Sequence, residues 1–159
     1  MTPDIFLKLD GIKGESKDAK HKGEIALESF QWGLANGGTM GFGGGGGAGK
    51  VSFHDISISK QADSSSPSLM QACAGGTHIK SGVLTVRKAG GKQEEFYKIS
   101  LTNILVSSIT NTGAHTGTPN EMVSLNFEEI KFDYKEQGAD GKLGGVVKFG
   151  WNLKQNQKV

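Results

Sequence analysis

The chain has 159 residues, 35% of them hydrophobic and 21% charged, with a formal net charge of +2. That excludes a disordered chain, leaves room for a real core, and gives no strong pull toward nucleic acid or membrane. Arg87 is the only arginine and Cys73 the only cysteine. Sequence-specific nucleic-acid reading, which leans on arginine forks, is therefore not expected, nor is an internal disulfide or a cysteine-based zinc site. Cys73 reads instead as a small core-filling residue.

At the N-terminus Ile5, Phe6, Leu7 and Leu9 are broken by Lys8 and Asp10. No apolar run reaches the length of a signal h-region or a membrane span. The protein is expected to fold in the cytosol and, if exported, to leave by a route that reads no cleaved signal. Residues 4–9 read as a first short strand. A second covers 23–32, with Ala26, Phe30 and Trp32 on one parity and Ser29 and Gln31 on the other.

Nine of the thirteen residues from 37 to 49 are glycine, and Lys50 follows them. Residues 51–59 form the next predicted strand. Its apolar positions pass from Val51 and Phe53 to Ile56 and Ile58, the one-residue change of parity that a β-bulge produces. The stretch 64–76 predicts a short helix: Ser66 as N-cap, Pro67 in the first helical position, and Gly75-Gly76 as the stop. Its stripe of Leu69, Met70, Ala72 and Cys73 would lie against a sheet.

A hairpin follows, 79–88 and 94–101 around a turn at Gly90-Gly91, with 104–109 continuing as strand. Residues 111–120 read as an exposed loop. The long strand 121–134 changes parity from Val123, Leu125 and Phe127 to Ile130, Phe132 and Tyr134, so Glu128-Glu129 reads as a bulge or as one exposed and one pairing charge. A last hairpin turns near Asp140-Gly141. In its second strand Val147, Phe149, Trp151 and Leu153 alternate with Lys148, Gly150, Asn152 and Lys154, the pattern of a half-buried strand. The fold class expected is mainly β: an antiparallel β-barrel of two packed sheets with one short flanking α-helix and a long glycine-rich loop. Residues 1–159 are expected to form a single domain.

The glycine run invites a phosphate-loop reading, since residues 44–50 satisfy G-x-x-x-x-G-K. Val51 stands where a magnesium-binding hydroxyl belongs, and a strand rather than a helix follows, so the reading fails on context. Residues 14–18 (GESKD) hint at a nucleophile elbow but carry Asp18 in place of the second glycine. His21, His54, His78 and His115 are too far apart for a local metal motif. Glu94-Glu95 and Glu128-Glu129 are neighbours on strands and point to opposite faces. A Ser–His–Asp triad assembled in space stays open, with nothing in its favour. No cofactor, metal or catalytic constellation is expected, and the chain is not expected to be an enzyme.

Taken together, DIFLKLDGIKGESKD at 4–18 with His21, WG at 32–33, GGGGGAGKV at 43–51 and SPSLM at 66–70 with Ala72-Cys73 resemble one family. So do VRKAGG at 86–91, LVSS at 105–108, VSLNF at 123–127 and GWN at 150–152. That family is the haemolysin-coregulated protein (Hcp), tube subunit of the bacterial type VI secretion system, and the similarity runs through essentially the whole chain. The resemblance implies hexameric rings that stack into a tube, propelled from the cell by contractile sheath subunits behind a VgrG-type spike protein. It implies small effector proteins carried in the lumen, assembly in the cytoplasm followed by secretion, and no nucleic-acid partner or membrane insertion.

The glycine run then corresponds to the family's extended loop, which touches neighbouring subunits, and is expected to be mobile in free rings and ordered where rings meet. Glycine suits close backbone approach. Ala35, Asn36, Met40, Phe42, Gly43, Gly47, Gly49 and Lys50 are its expected assembly contacts. Ser29 and Gln31, opposite in parity to Phe30 and Trp32, are candidates for the lumen wall and effector contact, or else form a merely solvated face. An alternative is a secreted ring protein acting itself as effector or surface ligand. The end of the chain straight after its last strand is read as arguing against a fused toxin.

Overall fold

The computed structural model describes residues 4–38, 49–88, 94–138 and 143–159. Met40, Phe42, Gly43 and Gly47, and the turns expected at Gly90-Gly91 and Asp140-Gly141, lie outside the described residues. In chain order the elements are β1 (Asp4–Leu9), β2 (Ile25–Leu27), β3 (Ser29–Gln31), β4 (Leu34–Asn36), β5 (Val51–Phe53), β6 (Ile56–Gln61) and α1 (Ser66–Gly75). They continue with β7 (Ile79–Arg87), β8 (Glu95–Thr112), β9 (Asn120–Gln137), β10 (Leu143–Asn152) and β11 (Gln157–Lys158). Every strand pairing is antiparallel.

The main sheet runs β11-β10-β9-β8-β7-β1-β2, and β6 joins β9 to β3. Only Glu28 separates β2 from β3, and its N–H donates to the Ser59 carbonyl at 2.8 Å. The 25–31 segment thus passes from β1 to β6 and closes the wall into a barrel. Leu7, Ile25, Ile58, Leu84, Ile99, Ile104, Leu125 and Ile130 fill it. Burial of such side chains, each contributing about 1.5–3 kcal/mol, is the main drive for closure.

That change of partner corrects the reading of 23–32 as one strand. Ile25 and Leu27 point inward and Ala26 is exposed; past Glu28 the partly buried residues are Phe30 and Trp32. The bulge read at 51–59 is present. Leu34 faces Phe53 and Gln31 faces Ser57, so three residues on one strand oppose two on the other. The His54 N–H donates to the Gly33 carbonyl at 2.9 Å across the break.

No bulge forms between β8 and β9 at Glu128-Glu129. Thr102 still faces Glu129 and Ile104 still faces Phe127, so no residue is gained there. Instead adjacent strands change face together: Leu101 then Ile104 on β8, Phe127 then Ile130 on β9, and Ile79 then Leu84 on β7 are the buried positions. Asn103 sits at this level in the left-handed region, with φ 53. On its other side β9 exchanges β6, which pairs residues 120–125, for β10, which begins at Glu129. The register shift in β8 lies at Ser107, between Val106 and Ser108.

Helix α1 is capped by Ser65 rather than Ser66, and Ser65 makes no side-chain capping bond. Its hydroxyl binds Asp63 instead, while Ser66 is drawn to Glu121. Leu69 and Ala72 are buried and Cys73 packs partly against the core, but Met70 is exposed, which narrows the expected stripe. Gly76, at φ 65, ends the helix by donating to the carbonyls of Ala72 and Cys73. The half-buried reading of β10 holds only toward its end. Val147 is 66% exposed and Asn152 is buried, because among the described residues only Trp151 and Asn152 gain a second neighbouring strand, β11. Tyr134, grouped with the inward residues by parity, is exposed although it is paired on both sides, with Tyr97 on β8 and with the exposed Val147 on β10.

Candidate functional site

The base of the glycine-rich segment is a two-stranded sheet, β4–β5, separate from the barrel sheet. Ala35 faces Ser52 and Asn36 faces Val51. The Asn36 side-chain amide donates to the Gly49 carbonyl at 2.7 Å, and the Gly38 N–H donates to the Asn36 carbonyl at 2.9 Å. A Cβ on Gly49 would stand 2.9 Å from the Gly37 carbonyl oxygen, so the two chains meet here at a distance that only glycine permits. Ala35, Asn36, Gly49 and Lys50 are all exposed. Beside them Leu34, Ala35, Asn36, Val51, Phe53, Phe149 and Trp151 line an open groove of about 420 Å³.

Ser29 and Gln31 are exposed on β3, and the register extends each into a row across four strands. One row is Ser29, Ser59, Met122 and Thr110; the other is Gln31, Ser57, Ser124 and Ser108. Residues directly opposite share a face, so these two rows are small, hydroxyl-rich and uncharged, with Met122 exposed among them and the Asp55 carboxylate at their border, accepting from Ser107 and Asn126. The row between them, Phe30, Ile58, Val123 and Ile109, turns toward the core.

Two polar clusters hold the walls, and sequence reasoning missed both. The Arg87 guanidinium is buried and forks onto Asp18, Nη1 to Oδ2 and Nη2 to Oδ1, each at 2.8 Å; Nη2 also donates to Asp4 at 2.8 Å. This holds the Asp18 carboxyl far below the usual range and raises the arginine further. The guanidinium lies over the Phe6 ring, on which His21 also stacks. His21 places Nδ1 3.0 Å from Glu24 and Nε2 2.7 Å from Glu95. The cluster pins residues 14–24, the stretch that carried the elbow motif, to β1 and β7. A lone arginine among lysines was the available signal, since only arginine offers a fork.

In the second cluster Lys60 Nζ meets Glu121 at 2.6 Å and Asp63 at 2.9 Å, beneath the first turn of α1. Among the described residues no group of three His, Cys, Asp or Glu side chains could hold a metal ion, and no helix is long and apolar enough to cross a membrane.

What the fold and surfaces define is an antiparallel β-barrel whose charged clusters serve packing and whose candidate surfaces are a projecting hairpin and the uncharged rows through Ser29 and Gln31. The family model for the type VI secretion system effector, Hcp, matches residues 6–134. The chain is 48% identical over 160 residues to protein hcp1 of Pseudomonas aeruginosa, covering 98% of each. Among solved structures it is similar to a type six secretion system protein, with TM-score 0.94, 32% identity and coverage of 99% and 100% of the two chains. It is also similar to Hcp1 from Salmonella typhimurium, with TM-score 0.85, 37% identity and full coverage of both chains. The chain belongs to the Hcp family of type VI secretion proteins.

Proposed function

We propose that this chain is a structural subunit of the type VI secretion tube, forming hexameric rings that stack and carry small effector proteins. The observation that carries the reading is the similarity to a Pseudomonas aeruginosa Hcp protein over nearly the full length of both chains. The structure supports it with two surfaces suited to those tasks. The β4–β5 hairpin presents Ala35, Asn36, Gly49 and Lys50 outward, as a loop that grips neighbouring subunits would. The uncharged rows through Ser29 and Gln31 suit a lumen that must hold different proteins without gripping one too tightly. In this reading the protein has no catalytic role. It assembles in the cytoplasm with sheath subunits and a VgrG-type spike, then leaves the cell.

Light scattering with negative-stain microscopy of the purified protein tests assembly: ring-shaped particles of six-subunit mass are expected, and a monomer at all concentrations overturns the proposal. The family whose model matches is that of the type VI secretion system effector Hcp, and a similar solved structure is a type VI secretion system effector from Yersinia pestis. That similarity favours a second reading, a ring that itself acts outside the cell. A direct effect of the purified, cargo-free ring on target cells would select it.

A further inference from the structure

We propose that Asn36 is a site of spontaneous covalent modification, deamidation through a cyclic imide formed with Gly37, and that the closed β4–β5 hairpin restrains it. Asn36 is the only asparagine in the chain that glycine follows. The reaction needs the backbone nitrogen of the next residue to reach the asparagine Cγ, and a side chain on that residue crowds the approach. Gly37 brings none, and a Cβ built there would meet nothing within 4 Å, so no neighbour crowds it either. Both residues are exposed, which admits the water that completes the reaction.

The Gly37 nitrogen gives its proton to solvent base and forms a bond to Asn36 Cγ. The bond from Cγ to Nδ2 breaks, and Nδ2 takes a proton from water and leaves as ammonia. The imide then adds water at either of its carbonyls. Opening on one side leaves an aspartate at position 36. Opening on the other leaves an isoaspartate, which places an extra methylene in the main chain. Water is the only co-reactant, and nothing is oxidised or reduced.

The same side chain fastens the hairpin. Asn36 Nδ2 donates to the Gly49 carbonyl at 2.7 Å, and while it is held there Cγ does not swing toward the Gly37 nitrogen. Conversion therefore passes through an opened hairpin base. Opening costs little, because β4–β5 is a two-stranded sheet apart from the barrel sheet, and two strands alone are marginal in water. Either product then opposes reclosure. A carboxylate has no N–H to give and turns an anionic oxygen toward the Gly49 carbonyl. The isoaspartate also lengthens a chain with no room for it, since even a Cβ on Gly49 would stand 2.9 Å from the Gly37 carbonyl oxygen. On the assembly reading above, the modification belongs to subunits waiting outside a ring and marks those that have waited longest.

The test incubates wild type and Gly37→Ala in mildly alkaline heavy-oxygen water, both native and unfolded in guanidinium, and follows each asparagine by peptide mass spectrometry. The Asn36 peptide of the native wild type is expected to lose its amide and gain the heavy-oxygen label ahead of every other asparagine peptide. Its rate is expected to be about tenfold or more below that of the unfolded chain, the measure of the closed hairpin. Gly37→Ala is expected to convert more slowly than wild type in both states. Hydrogen exchange of Asn36→Asp is expected to be faster than wild type at residues 34–36 and 51–53. Native Asn36 converting no faster than the exposed Asn111 overturns the site. Equal rates in folded and unfolded wild type, or unchanged exchange in Asn36→Asp, overturn the restraint by the hairpin. The masses are read on the single chain, so a wild type that converts as expected but never forms rings overturns the tube reading alone.

Discussion

Lys60 and Glu121 face each other across β6 and β9 and meet at 2.6 Å, both side chains fully buried. Ser66 donates to the same Glu121 oxygen at 2.7 Å, so the pair fastens the first turn of α1 to the seam where the barrel closes. Two charges taken out of water repay their desolvation only while both are present. Glu121→Ala is therefore expected to cost about 3–5 kcal/mol, whereas the apolar double replacement Lys60→Met with Glu121→Leu is expected to be near neutral. Urea unfolding of the single and double variants checks this. A single variant within experimental error of wild type would show that the pair does not hold the seam.

The Arg87 fork on Asp18 makes acid stability readable. Asp18 titrates lower in the folded protein than in the unfolded chain, so its contribution is complete above the unfolded value of about 3.9 and is lost as pH falls from there toward the folded value. Unfolding midpoints are expected to drop below about pH 4, and Asp18→Asn to flatten part of that drop. Arg87→Lys keeps the charge but not the fork and is expected to speed hydrogen exchange across residues 14–24. Equal exchange in Arg87→Lys and wild type would refute the pinning role.

Gly14 lies against the returning chain: a Cβ there would stand 2.5 Å from the Glu24 carbonyl oxygen and 2.7 Å from the Ile25 Cα. Backbone cannot step aside as a side-chain end can. Gly14→Ala is expected to destabilise by about 1–3 kcal/mol. Gly82→Ala, whose Cβ has its tightest contacts at the ends of Leu9 and Ile104, is expected to lose less. Thermal melts rank the two, and the reverse order would contradict the account.

Asn103 holds its left-handed backbone while its side chain bonds His78 at 2.9 Å. Asn103→Gly keeps the backbone geometry, whereas Asn103→Val brings a β-branched side chain into a region that disfavours it. The valine variant is expected to be the less stable by about 1–2 kcal/mol. Equal melting temperatures would remove the strain argument.

The alternation of small and large residues made the strands legible in the sequence, and β1 appears with the bounds expected. Parity also placed Ser29 and Gln31 outward correctly, since Phe30 is held inward by its β6 partner. What failed was inference across a change of neighbour. Ala26 was grouped with Phe30 although the segment leaves β1 for β6 between them. A bulge was one expectation at Glu128-Glu129, where β9 instead exchanges β6 for β10. Partner changes are tertiary events with no local spelling, and the same holds for the Arg87 and Lys60 clusters, whose members lie up to 83 residues apart in the chain. Of the expected assembly contacts, Ala35, Asn36, Gly49 and Lys50 are exposed at the hairpin, and the assembly experiments test whether they touch a neighbouring subunit.

The shared corner at Asn103 also constrains how this barrel can vary among relatives. A residue gained or lost there by one strand alone would turn that strand inside out relative to its neighbours. Length changes are viable only when β7, β8 and β9 change in step. Aligned family sequences should therefore show gaps at this level arriving in sets, never singly.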